Sequence, residues 1–71
     1  MIESIQLLDV VILRRAYPAY ELAPGQIGTV VEVLAADVFE VECSDTNGQT
    51  LVNLALPGDA LQVLTHATAN V

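Results

Sequence analysis

The chain has no tryptophan, no lysine and a single cysteine, and each absence removes a class of function. One cysteine, Cys43, cannot form a disulfide framework. With one histidine, His66, it also offers no paired spacing for a structural metal, so neither metal nor cofactor is expected. Without lysine, Arg14 and Arg15 are the entire cationic supply. A typical DNA binder makes about 6–10 phosphate contacts, so nucleic acid is disfavoured, as is an anionic membrane surface. No apolar run approaches the roughly 20 residues that span a bilayer. Met1-Ile2-Glu3-Ser4 lacks the basic start of a secretory leader, and Asp9 interrupts Leu7 to Leu13. An unpaired cysteine suits a reducing compartment, and a cytoplasmic location is expected.

What is present is branched aliphatic filling. Of 71 residues 54% are hydrophobic and only 4% aromatic, with ten valines, ten leucines and four isoleucines. A domain this small sits near the lower limit for an unaided core. Strands turn about half their side chains inward, so the chain carries more apolar side chains than one small interior holds. The surplus points to association with a protein partner or with a second copy. Nine carboxylates against two arginines leave a formal net charge of −7. Two readings of that charge stand: it keeps an apolar domain soluble, or it docks a basic protein surface.

Turn chemistry divides the chain into five strands. Asp9 to Arg14 reads as the first, and its centre Val10-Val11-Ile12-Leu13 is apolar on both faces. That pattern predicts burial by the core on one side and by a partner on the other. A loop from Arg15 to Gln26 follows and ends at the Pro24-Gly25 corner. Gly28 to Leu34 is the second strand, rich in β-branched residues. Ala35-Ala36-Asp37 connects to Val38 to Cys43, where Phe39, Val41 and Cys43 alternate with Glu40 and Glu42. Asn47-Gly48 signals a hairpin into Gln49 to Leu56. Pro57-Gly58-Asp59-Ala60 predicts a 3-10 turn before a last strand, Leu61 to Leu64. The expected fold is all-β: a small five-stranded, partly open SH3-like barrel over residues 1–64, with a flexible tail over 65–71.

Little in the sequence resembles catalytic machinery, and no enzymatic activity is expected. His66 lies in a polar tail without a visible orienting partner and reads as idle. Cys43 falls on the inward phase of its strand and reads as an inert buried thiol. Glu32, Glu40 and Glu42 are expected to lie near one another. They are either a solvated face, a weak cation site or a receiver for basic groups of a partner. Tyr17 and Tyr20, near Pro18 and Glu21, either cover the barrel mouth or flank a ligand groove. The partner-facing candidates are therefore Val11, Leu13, Tyr17, Tyr20, Glu32, Glu40 and Glu42.

The run Leu8-Asp9-Val10-Val11, then Gly25-Gln26-Ile27-Gly28-Thr29-Val30-Val31-Glu32-Val33, Phe39-Glu40-Val41-Glu42 and Asn47-Gly48-Gln49-Thr50, with Leu61 closing, resembles the small bacterial family known as domain of unknown function 4926. The resemblance covers about Leu7 to Leu64. It implies an SH3-like barrel in a bacterial protein that works with a partner, such as an antitoxin in a gene pair, and carries no catalytic residues. A looser likeness, through Val11-Ile12-Leu13-Arg14 and Gly28-Thr29-Val30, is to the small SH3-like accessory subunits of photosynthetic complexes. Those subunits dock acidic partners with basic residues, whereas this chain is acidic, so only an accessory role carries over. The sequence-based expectation is a non-catalytic protein-interaction module with a basic protein partner or a homo-oligomer. The alternative is a small ligand- or metal-binding barrel, with RNA binding behind it.

Overall fold

The computed structural model describes residues 4–44 and 51–66. Among these the chain forms β1 (Val10–Leu13), a 3-10 turn (Pro18–Tyr20), β2 (Ile27–Ala35), β3 (Val38–Ser44), β4 (Leu51–Pro57), a second 3-10 turn (Gly58–Ala60) and β5 (Leu61–Thr65). All pairings are antiparallel and the strand order is β4-β3-β2-β1-β5. This is the all-β, partly open SH3-like barrel, with no α-helix among the described residues. Asn47-Gly48 and the start of the fourth strand lie outside the described residues.

Each element follows from local chemistry. The Pro24-Gly25 corner works because Gly25 adopts φ +91°, a left-handed angle that side chains resist. Its N–H donates to the Leu13 carbonyl at 2.8 Å, and Leu13 N–H reaches the Gln26 carbonyl at 2.9 Å. The corner is thereby fixed to the end of β1. The alternation of β3 puts Phe39, Val41 and Cys43 inside, as their spacing predicts. They pack with Val11, Leu13, Leu22, Val30, Leu54, Leu56, Ala60 and Leu61 into one core. Gly28 faces this core, and a Cβ there would stand 2.6 Å from Val41 Cγ1 and 2.7 Å from Cys43 Sγ. Only glycine lets β2 and β3 approach so closely at that point.

β1 requires a correction. Val11 and Leu13 are 0% and 1% exposed and belong to the core, so no partner reaches them. The outward phase of β1 is Val10 and Ile12, both half-buried. Four consecutive apolar residues give a period-two pattern no phase, and the pairing of Val11 with the core glycine Gly28 supplies it.

The boundary at Thr65 also moves. Thr65 pairs with Val10 as the last residue of β5, so the strand extends one residue into the expected tail. His66, immediately after it, brings Nδ1 to 3.1 Å from Oδ2 of Asp9. Asp9 is fully buried and also accepts the Gln6 backbone N–H at 2.8 Å. His66 is thus a bonded residue rather than an idle one.

Candidate interaction surface

The outer face of the sheet has two halves of opposite chemistry. On the β5-β1-β2 side, register places Gln62, Ile12 and Ile27 in one cross-strand row and Thr65, Val10 and Thr29 in the next. Val11, Gly28 and Val63 form the inward row between them, so these two rows point outward. Ile27 is 53% exposed. Val10, Ile12 and Ile27 therefore make an apolar patch on the outside of the barrel.

On the β2-β3-β4 side the outer face is acidic. Val30 pairs with Val41 and Glu32 with Glu40, which leaves Val31 as the extra residue of a β-bulge. Without that residue Glu32 would oppose Phe39 and point into the core. The bulge turns it outward and sets it directly across from Glu40. Glu42 follows on the same face, across from Thr29 and Asn53. The three carboxylates expected to lie near one another do share this face. The Asn53 amide sits beside them, and its Nδ2 donates to Glu40 Oε2 at 2.8 Å. Like charges directly opposite on neighbouring strands repel, so this arrangement costs stability unless a cation covers it. No group of His, Cys, Asp and Glu among the described residues has the geometry to hold a metal ion.

The tyrosine loop is closed on itself. Tyr17 N–H bonds the Leu22 carbonyl at 2.9 Å and Leu22 N–H returns to the Tyr17 carbonyl at 3.2 Å. The 3-10 turn Pro18–Tyr20 fits between them and exits through Glu21 in the left-handed region. Tyr17 is half-buried and packs on the core, which is the covering role. Tyr20 is 47% exposed and stands apart from it.

A half-open groove of about 1070 Å³ lies between the start of β5, the second 3-10 turn and the β2–β3 connection. Its apolar walls include Ile5, Phe39, Leu61 and Val63, and its charged rim is Arg14, Asp37 and Asp59. Arg14 Nε donates to the Leu61 carbonyl at 3.0 Å, and Arg15 Nη2 lies 3.2 Å from Asp59 Oδ1. Neither tyrosine of the loop lines this groove. A Cβ at position 58, beside the groove, would meet the carboxyl of the exposed Asp37, which would have to swing aside.

Cys43 is buried, and burial, with a smaller push from the charge of Glu42, raises its thiol pKa. A thiol held neutral is a poor nucleophile, in keeping with an inert core position. No helix of the described residues is long and apolar enough to cross a membrane.

Sequence reasoning missed two features of this surface. The Asp9–His66 pair joins residues 57 positions apart, and no local signal connects them. The groove gathers residues far apart in the chain, Ile5, Asp37, Asp59 and Val63 among them, which strand patterns alone do not bring together. No curated protein and no solved structure matches the chain. A family model does match residues 7–63, spanning nearly all of the barrel from the turn before β1 into β5. The chain belongs to the family described as domain of unknown function 4926.

Proposed function

We propose that this protein is a non-catalytic, cytoplasmic protein-interaction module, an accessory subunit or antitoxin-like partner of another bacterial protein. The observation that carries the reading is the two-part outer face: Val10, Ile12 and Ile27 beside Glu32, Glu40 and Glu42. An apolar patch gives a partner area to bury, and the carboxylates beside it select one with basic residues. The formal charge of −7 adds long-range attraction for such a partner and speeds encounter. The directly opposed Glu32 and Glu40 are relieved of their repulsion when Lys or Arg of the partner arrives.

Affinity capture from a bacterial lysate with the full chain as bait tests this. A protein with a basic surface is expected on the wild-type bait. It is expected to vanish from baits carrying Ile27→Glu or the triple change Glu32→Gln, Glu40→Gln, Glu42→Gln. Identical captured proteins on all three baits would defeat the reading.

A further inference from the structure

We propose that the outer edge of β4 takes up an extended, basic segment of the partner protein as an added antiparallel strand. This rests on the partner reading above and names how the partner is held. β4 pairs only with β3. Val30 N–H bonds the Asp9 carbonyl, and the Val30 carbonyl accepts Leu8 N–H, so both groups of Val30 face β1. Successive residues of a strand turn these groups to opposite sides, so Thr29 and its partner Glu42 face each other. Phe39, Val41 and Cys43 then face β4, opposite Leu56, Leu54 and Val52. Leu51, Asn53 and Ala55 are left with N–H and C=O directed away from the sheet. Two bonds agree with this phase. The Ser44 carbonyl accepts Gln26 Nε2 on the β2 side, and Gly58 N–H bonds the Asp37 carbonyl on the β3 side. Among the described residues nothing bonds the outward groups of Leu51, Asn53 and Ala55, and all three residues are exposed.

Charge chooses the occupant. Natural edge strands are usually guarded by lysine, proline or an inward charge of their own. From Leu51 to Leu56 β4 has none of these, and Pro57 stands only at its end. The charges lie one strand further in. Rows on the outer face read Glu32, Glu40, Ala55 and then Thr29, Glu42, Asn53. Among the described residues no arginine or histidine pairs with these carboxylates. A strand added to β4 extends each row, placing its outward side chains about 10 Å from Glu40 and Glu42, two strand spacings away. Ala55 is short, so a lysine or arginine beyond it reaches across to Glu40. A second copy of this chain would bring only its own Glu40 and Glu42 to that junction, under a net charge of −7 on each copy. The acidic rows therefore reject self-pairing and favour a basic strand. Main-chain bonds hold the segment, and the carboxylates choose its side chains.

A short peptide of alternating lysine and threonine is the probe, titrated into the isotope-labelled full chain and followed by amide resonances. With its lysines on the outer face, an antiparallel peptide turns the lysine backbone N–H groups toward β4. Saturable binding is expected, with slowed exchange of the Leu51, Asn53 and Ala55 amides and unmoved signals for Ile12 and Ile27. Methylating the lysine backbone nitrogens keeps every charge and is expected to weaken binding about tenfold. Methylating the threonine nitrogens instead is expected to have little effect. Ala55→Pro removes one edge donor at a position where an edge strand admits proline, and is expected to match the lysine-methylated peptide. If circular dichroism shows that variant unfolded, the methylated peptides decide, because they alter no residue of the protein. Equal binding of the two methylated peptides overturns the proposal, and so does absence of binding by the unmethylated one. A basic protein captured equally by wild-type and Ala55→Pro baits overturns it while the partner reading stands. Capture of nothing by the wild-type bait defeats that reading instead.

Discussion

Oδ2 of the fully buried Asp9 lies 3.1 Å from Nδ1 of His66, whose side chain is 46% exposed. This bond joins the residue before β1 to the residue after β5. The same oxygen accepts the Gln6 N–H and stabilises the turn in which Leu8 adopts φ 71°. Loss of His66 removes one hydrogen bond to this oxygen while the Gln6 N–H stays, and a single hydrogen bond contributes about 0.5–1.5 kcal/mol net. His66→Ala is expected to lower the unfolding free energy by about that amount, read as a lower urea midpoint at unchanged slope. An unchanged midpoint would show that the histidine contributes nothing to stability.

The phase of β1 gives a sharp contrast between neighbours. Val11→Glu places an unpaired charge at a 0% exposed position, a cost of several kcal/mol that a domain of this size does not survive. Ile12→Glu, one residue on, is expected to remain folded. Circular dichroism and amide proton dispersion of the two variants check this; two folded variants, or two unfolded ones, would contradict the assignment of faces.

Gly28 sets the spacing between β2 and β3 through its contact with Val41. Gly28→Ala is expected to destabilise by about 1–3 kcal/mol, the usual range for overpacking. Val41→Ala removes the Cγ1 that the new Cβ would meet at 2.6 Å. The double variant is therefore expected to be more stable than the sum of the single losses. Thermal or urea unfolding of all four proteins measures the coupling.

Cys43 links stability to alkaline pH. Burial, and then the charge of Glu42, raise its pKa in the folded chain. A thiol whose folded value is raised contributes stability that is complete below its unfolded pKa and is lost as the pH rises through the folded value. Wild-type stability is expected to fall through that alkaline window more than that of Cys43→Ala. Alkylation by iodoacetamide is expected to be slow in buffer and fast in urea. Rapid alkylation of the folded chain would place the thiol at the surface.

Glu32 trades stability for recognition. It lies directly across from Glu40, and like-charged cross-strand pairs are destabilising by about 0.2–1 kcal/mol. Glu32→Gln is expected to raise the urea midpoint slightly, with the gain shrinking in high salt, while weakening capture of a basic partner. A variant that loses stability would mean the opposed carboxylates are held by something other than repulsion relieved on binding.

Strand identities were legible in the residues because turn chemistry and alternation agree. Pro24-Gly25 opens β2, Phe39-Glu40-Val41-Glu42-Cys43 sets the faces of β3, and Pro57-Gly58 precedes the 3-10 turn. The face of β1 was not legible, since Val10 to Leu13 are all apolar and neither phase is marked. Glu32 reaches the outer face only through the extra residue Val31, and strict alternation from Gly28 would have pointed it inward. The carboxylate group was therefore expected for its proximity and explained only by the bulge. His66 was misread because its partner is fixed by β5 lying beside β1, a property of the whole topology.

Placing β1 next to β5 has a consequence during synthesis. Arg14 and its acceptor Leu61 are 47 residues apart. At about 5–20 residues per second, the ribosome needs roughly 2–10 s to deliver the second after the first. Through that interval Val11 and Leu13 have no companion strand on one flank, and the nascent chain cannot close its interior from the front. Maturation is thus held until the closing strand emerges, and a chaperone that shields short aliphatic stretches would find its substrate in that pause.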